Sequence, residues 1–320
     1  MKACVDIGGT KVAVSLATGA PDSIAPDAAK AGRGALLGRI SEPTAKTGSN
    51  DAVALQILRL IDQVCDSQQV DRASIDGVGV SSAGPFVMAE GMTELASPNI
   101  CGGIAGPARG LPNDWTTALL EAPLRARFAN VRVENDAVSA LEAERRWGAL
   151  RGFDHCAYVT WSTGVGIGLC VDGHVLRGKN GNAGHAGHSF VTSGELDALC
   201  GCGNVGDVEG IAAGNAIARR FHQPAEQLLA AALAGEAEAV SRADHLCEVM
   251  GRMLYNLVVT LDLQAISLGG SVFWNNRDWL LPRLESRIAG RLAALTDGVS
   301  LMPAGLGDKV GDYAALALVA

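Results

Sequence analysis

Aromatic side chains are scarce in this chain, at 4% of 320 residues, while glycine occurs 40 times. That combination points to an α/β protein with many tight turns. Excess positive charge is missing too. The formal net charge is −8 and the sequence pI about 5.3, which argues against a broadly basic nucleic-acid surface. No apolar run approaches an uncharged span of about 18 residues, and the opening MKACVDIGG has no apolar signal core. Neither a membrane span nor a leader is expected. Eight cysteines are scattered along the chain except for Cys200 and Cys202, so a disulfide scaffold is not expected. Cys4, Cys156 and Cys170 sit in apolar strand-like runs and read as small core residues. A soluble protein of the reducing cytoplasm is the expectation.

What is present begins with length, enough for a large core and more in keeping with two domains than one. Ala3 to Ile7 reads as a strand, Gly8 and Gly9 as a tight turn, and Lys11 to Leu16 as a returning strand. This is no Walker loop, which needs a longer glycine loop ending in Lys-Ser/Thr before a helix. Its backbone N–H groups can still meet phosphate, with Thr10 and Lys11 as added donors and Asp6 able to hold a Mg²⁺ hydration shell. An ordinary hairpin turn explains the same residues equally well. A similar unit recurs at His155 to Val171, with Ser162, Thr163 and Gly164 at its turn and an Asp172-Gly173 hairpin signal after it. Two such hairpins suggest a duplicated fold that binds a nucleotide between its halves. A third strand-turn, AISLGGSV, places Gly269 and Gly270 where they could approach adenosine or serve packing alone.

Val131 and Val133 form a short strand that runs through Asn135 and Asp136 into a helix. A carboxylate at that N-terminus is stabilised in place. Asp136 is therefore either a cap or, in a phosphoryl-transfer enzyme, the base for an attacking hydroxyl. The stretch from Gly181 to Glu209 gathers His185, His188, Cys200, Cys202 and Asp207 among glycines and alanines. That mixture suggests a closed Zn²⁺ site beside a pocket, with an Asp where a soft ligand is expected.

These segments together resemble the ROK family (repressor, open reading frame, kinase) of sugar kinases and regulators. The matches are VDIGGTKVAV at 5–14, GVGVSSAGP at 77–85, SPN at 97–99, VENDA at 133–137 and TWSTGVGIG at 160–168, then GNAGHAGH at 181–188, CGCGNVGDVEG at 200–210 and LGGSV at 268–272. Each is weak alone, but they follow the family's order along almost the whole chain. The resemblance implies an α/β, two-lobed actin-like (ribonuclease H-like) ATPase fold with ATP, Mg²⁺ and a sugar in the cleft. It assigns Asp136 as catalytic base, Asp6, Gly8, Gly9, Thr10 and Lys11 as the first phosphate element, and Thr163 and Gly164 as the second. Gly269 and Gly270 would lie near the adenosine. Asn99, Asn135, Asp136, His188 and Glu209 would contact sugar hydroxyls, and His188 would double as a zinc ligand. The family's repressors carry a winged helix-turn-helix ahead of the DIGGT strand. Asp6 lies so early here that DNA binding is not expected, whereas a homodimer is.

Two departures fall in one stretch. The resemblance implies a zinc set of one His and three Cys; this chain offers His188, Cys200 and Cys202, with Asp207 in place of the third Cys. A structural Zn²⁺ with Asp as an oxygen ligand is chemically reasonable, and loss of the metal is the alternative. His185 stands where sugar-phosphorylating members carry Glu. Neutral His offers one donor and one acceptor where a carboxylate accepts two hydroxyls, so the preferred polyol changes. A C7-cyclitol, an unusual hexose or another polyol becomes more plausible than glucose, although His185 could still serve a common hexose. An inactive sugar-binding regulator of the same fold is the competing class. Ser162 replaces a usual glycine, which a residue with φ below zero tolerates. The Gly/Pro-rich segment at 101–115 is expected to be a rim or lid loop. A small N-terminal lobe is expected over 1–115 with a returning helix at about 306–320, and a large lobe over 116–305.

Overall fold

A computed structural model describes residues 1–18, 36–105 and 109–320. The chain divides into two compact units. One comprises Met1–Trp147, Arg177–Ala183 and Lys309–Ala320, and the other Gly148–Leu176 and Gly184–Asp308.

The first unit is built on strands β1 (Lys2–Ile7), β2 (Lys11–Ala17), β3 (Leu36–Pro43), β4 (Gly77–Ser82) and β8 (Val131–Asn135), in the order β3-β2-β1-β4-β8. β3, β2 and β1 pair antiparallel with one another, while β4 joins β1, and β8 joins β4, in parallel. A small sheet of β5 (Phe86–Ala89), β6 (Met92–Leu95) and β7 (Ala118–Leu119) lies in the same unit. Helix α1 (Ala52–Gln68) forms because Val53, Ile57, Leu60, Ile61 and Val64 repeat at helical spacing. Those residues are fully buried against Val5, Val12, Val14, Val78 and Val80.

Strand β4 shows the two-residue period in use. Val78 and Val80 enter the core, while Gly77 and Gly79 face a helix at the chain's end, α8 (Val310–Ala317). A Cβ on Gly79 would lie 1.9 Å from the carbonyl oxygen of Ala315, so only glycine lets this helix backbone reach the sheet. Gly79→Ala is expected to destabilise the protein by about 3 kcal/mol, measured by urea denaturation. An unchanged midpoint and slope would mean that the helix does not dock this closely.

The second unit repeats the plan. Strands β9 (Cys156–Trp161), β10 (Val165–Val171), β11 (His174–Val175), β12 (Ala265–Gly269) and β13 (Ser300–Pro303) are ordered β11-β10-β9-β12-β13, with β12 and β13 parallel to β9. Strand for strand this is the order and direction of the first sheet. Its core is closed by α3 (Val208–Ala212), α4 (Gly214–Phe221), α5 (Ala225–Leu233), α6 (Ala237–Leu261) and α7 (Arg277–Ile288), through Ile211, Ile217, Leu228, Met250, Leu254 and Leu284. No described helix is long and apolar enough to cross a membrane.

The unit boundary differs from the expected division at residue 115. The first unit continues to Trp147 because β8 pairs with β4, and the following helix α2 (Asp136–Trp147) packs on α8, with the Trp147 and Tyr313 rings edge to face at 6.2 Å. Arg177–Ala183 also belongs to the first unit, held by the Arg177 ion pair to Glu134 and by Asn182. The Asn182 amide accepts from Phe86 N–H at 2.8 Å and donates to the Phe86 carbonyl at 2.7 Å, imitating a neighbouring strand.

Candidate active site

The first glycine turn closes β1 onto β2 through Gly8 N–H donating to the Lys11 carbonyl at 2.8 Å. Thr44 buttresses it, donating its hydroxyl to the Gly8 carbonyl at 2.7 Å and its N–H to the Thr10 carbonyl at 3.1 Å. Thr10 and Lys11 are exposed. Asp6 is partly exposed, with Arg39 Nη2 3.6 Å from its carboxylate, and Arg39 donates in turn to Asp312 at 2.9 Å. Burial raises the Asp6 carboxyl above its usual range, and Arg39 and Lys11 pull against that. Gly9 packs on Asn99: a Cβ there would meet the Asn99 Cβ at 2.7 Å. The Asn99 side-chain oxygen also accepts from Arg109. Sequence reasoning missed both arginines: Arg39 lies outside every motif, and Arg109 lies within the 101–115 segment, which read only as a loop.

Asn135 and Asp136 meet at the junction of β8 and α2. Asn135 is buried and its side-chain oxygen accepts from Ala137 N–H at 3.0 Å. Its own carbonyl accepts from the Ser139 hydroxyl at 2.9 Å. Asp136 is exposed as the first helical residue, and its Oδ1 accepts the same Ala137 N–H at 2.8 Å. Because Asn135 supplies that acceptor, the helix start does not depend on the Asp136 carboxylate.

In the second unit, the turn after β9 is closed by Ser162 N–H donating to the Gly164 carbonyl at 2.9 Å. The amides of Gly214 and Asn215, at the start of α4, donate to the Ser162 and Thr163 carbonyls. Ser162 lies outside the left-handed backbone region and its hydroxyl pairs with that of Ser271 at 3.0 Å, so replacing the usual glycine costs the turn nothing. Thr163 is exposed. Gly269 ends β12 against Tyr158. Gly270 has φ 86° and leaves no room for a Cβ, which would lie 2.5 Å from the Trp161 carbonyl oxygen. Close packing requires glycine at both positions.

The histidines follow in the segment Gly184–His188. Gly184 and Gly187 lie directly on the β10 backbone, where Cβ atoms would come within 2.1 and 2.4 Å of the Ile167 and Val165 carbonyl oxygens. The His185 and His188 rings stack with centroids 6.0 Å apart.

His188, Cys200, Cys202 and Asp207 converge, with one ligand atom from each inside 4.8 Å of all the others. His188 Nδ1 is 3.3 Å from Asp207 Oδ2 and 3.5 Å from Cys200 Sγ, and Cys202 Sγ is 3.4 Å from Asp207 Oδ2. A tetrahedral Zn²⁺ with bonds of about 2.0–2.3 Å separates its ligands by roughly 3.3–3.8 Å, so the donor set and these three separations fit that ion. Asp207 is fully buried and uses both oxygens. Oδ2 faces the cluster, while Oδ1 caps α3 by accepting Gly210 N–H at 2.6 Å. Burial alone would raise its carboxyl, but His188, the Gly210 N–H and the two thiols hold it below the usual range. The bond to Asp207 correspondingly raises His188, against burial.

Glu209, in the first turn of α3, accepts Val165 N–H at Oε2 (2.9 Å) and lies 3.7 Å from Cys200 Sγ at Oε1. The expected rim segment at 101–115 lies partly outside the described residues. Its stems are pinned by Asn113, which accepts Gly102 N–H at 2.7 Å and donates to the Ile100 carbonyl at 3.0 Å.

The ROK family model matches residues 2–320. A glucokinase of Aeropyrum pernix is 31% identical over 284 residues, covering 81% of this chain and 84% of that one. An N-acetylmannosamine kinase of Vibrio cholerae is 28% identical over 298 residues, covering 90% and 88%. A ROK family glucokinase from Streptomyces griseus, solved in complex with glucose and AMPPNP, matches with a TM-score of 0.71 at 25% identity over 98% of this chain and 97% of its own. Two sheets of one topology, the ordered motifs along the chain and these likenesses agree on the α/β actin-like fold, and the chain belongs to the ROK family.

Proposed function

We propose that the protein is an ATP-dependent kinase that phosphorylates a hydroxyl of a sugar or sugar-like polyol, with Asp136 as general base. The observation that carries this is the Asn135–Asp136 junction, where one residue caps the helix and the other presents an exposed carboxylate in the unit that holds the first glycine turn. The relatives named as glucokinase and N-acetylmannosamine kinase support the same chemistry.

In this reading the Gly8–Lys11 and Ser162–Gly164 turns hold phosphate oxygens through backbone N–H groups, with Thr10, Lys11 and Thr163 adding donors, and Gly269 and Gly270 border the adenosine. Asp6 would hold the hydration shell of Mg²⁺, which would supply charge neutralisation at the phosphates. Asn99, Asn135, His185, His188 and Glu209 bind acceptor hydroxyls. Asp136 removes the proton of the acceptor hydroxyl as its oxygen attacks the γ-phosphorus in line, and ADP leaves. His188, Cys200, Cys202 and Asp207 would hold a structural Zn²⁺, tying their loop to the start of α3 through Asp207.

His185 selects the acceptor. A panel of hexoses, acylamino-sugars and cyclitols, with ADP release as the readout, tests the reading: one polyol class is expected to stimulate turnover. His185→Glu is expected to raise kcat/KM for glucose at least about tenfold relative to that class, since a carboxylate accepts two hydroxyls. An unchanged ranking would remove His185 from acceptor selection.

A further inference from the structure

The second glycine turn is tied to the His-Cys-Cys-Asp cluster by a short chain of contacts. Val165, the first residue after that turn, donates its N–H to Glu209 Oε2 at 2.9 Å. The same oxygen lies against Gly164, where a Cβ would approach it to 2.8 Å. Glu209 Oε1 faces Cys200 Sγ at 3.7 Å. Glu209 rides in the first turn of α3, whose start is fixed by Asp207 Oδ1 on Gly210 N–H. Asp207 Oδ2 belongs to the cluster. One carboxylate thus takes part in the cluster and the cap, and a second, two residues on, joins the cluster to the turn. A Cys at position 207 could serve the cluster but could not cap the helix with a carboxylate oxygen.

We propose that Glu209 is a positioning residue for the Ser162–Gly164 phosphate turn, and that metal binding at His188, Cys200, Cys202 and Asp207 sets its position through Asp207. This rests on the reading of that turn as a phosphate element and of the cluster as a zinc site. With metal bound, Asp207 is fixed at both oxygens, α3 starts in one place, and Glu209 holds the Val165 amide so that the turn is organised before nucleotide arrives. Without metal, Oδ2 keeps only the weaker hydrogen bonds from His188, Cys202 and Asn204, α3 is anchored less firmly, and the turn must be ordered by the nucleotide itself, which weakens binding.

The test uses the full chain without sugar, so that any contact of Glu209 with acceptor hydroxyls drops out. Hydrogen exchange at the Val165 amide and the Kd for Mg²⁺-AMPPNP are measured on zinc-loaded protein, metal-stripped protein, and the Asp207→Asn, Glu209→Ala and Glu209→Gln variants. Circular dichroism confirms that each is folded. Metal-stripped protein, Asp207→Asn and Glu209→Ala are expected to exchange Val165 at least about tenfold faster and to bind AMPPNP roughly tenfold more weakly. Glu209→Gln, which keeps an acceptor, is expected to recover part of both. Exchange in β1 and β2, in the other unit, should stay the same. Val165 exchange and AMPPNP affinity within twofold of the loaded protein, in a metal-stripped sample that remains folded, would overturn the proposal. If instead the zinc-loaded protein itself binds no AMPPNP, the phosphate reading of the turn fails, while Val165 exchange still reports whether the tie exists.

Discussion

Asp136→Asn is expected to lower kcat by roughly 10²–10⁴-fold, with a much smaller change in KM and no loss of fold. The two halves of that expectation have separate causes. Removing the carboxylate leaves the acceptor hydroxyl without a base, while the side chain keeps its size and an oxygen. The helix start survives because Asn135 accepts Ala137 N–H at 3.0 Å from a buried position, and an Asn at 136 retains the Oδ1 acceptor. Thermal unfolding should therefore stay within about 2 °C of the parent, since a surface change that spares a cap is worth less than about 0.5 kcal/mol. The comparison variant is Asn135→Ala. It removes a buried cap and is expected to cost about 1 kcal/mol of stability. Near-normal turnover in Asp136→Asn, or a large fall in its melting temperature, would assign the carboxylate to structure rather than chemistry.

Replacing Cys200 and Cys202 together with Ser is expected to abolish zinc binding and to lower the melting temperature by well over 5 °C. Two of four ligands are lost, and thiolate sulfur is the softer half of the set. Much of the metal's binding free energy is folding free energy, because such a site does not preexist in the unfolded chain. Within this loop few other contacts substitute for it. Leu199 and Val205 form a single bridge, and Leu196, Leu199 and Val205 are exposed rather than packed. Arg220, buried between Glu195 at 2.6 Å and Asp197 at 3.1 Å, anchors the loop's flank, with Arg219 on the Leu199 carbonyl and His245 on Glu195. Metal analysis and calorimetry of protein purified without added zinc check both parts. One zinc per chain in the parent and none in the double variant is the expected outcome. A zinc-free parent that is stable and active would contradict it. Asp207→Cys, by contrast, should bind zinc more tightly than the parent while losing the carboxylate cap of α3.

The sequence made the periodic parts of this molecule plain. VDIGGTKVAV and the strand pair about Trp161–Val165 read as hairpins because apolar runs flank glycine turns, and each occupies the same place in its sheet. The residues Asn135 and Asp136 were readable as a strand-helix junction, but their division of labour was not. Which side chain turns inward depends on how β8 packs beside β4, and both residues are good helix starters. The boundary at Trp147 was hidden for a related reason. Parallel pairing of Val131–Asn135 with a strand some fifty residues earlier leaves no local mark. Arg177–Ala183 is the extreme case, since a single Asn182 amide mimicking a strand has no sequence pattern at all. Residue types brought His185, His188, Cys200, Cys202 and Asp207 together, and only the resemblance set His185 apart from the other four. The second role of Asp207, capping α3, lies only in the geometry.

The most direct measurement is acceptor-dependent ADP release by wild type and Asp136→Asn side by side, with the phosphorylated acceptor identified by mass spectrometry. The account predicts ADP release that requires one polyol class, a product carrying one added phosphoryl group, and loss of both in the folded Asp136→Asn protein. Sugar or polyol binding without ADP release from wild type across the whole panel would contradict it and leave a sugar-binding regulator in its place.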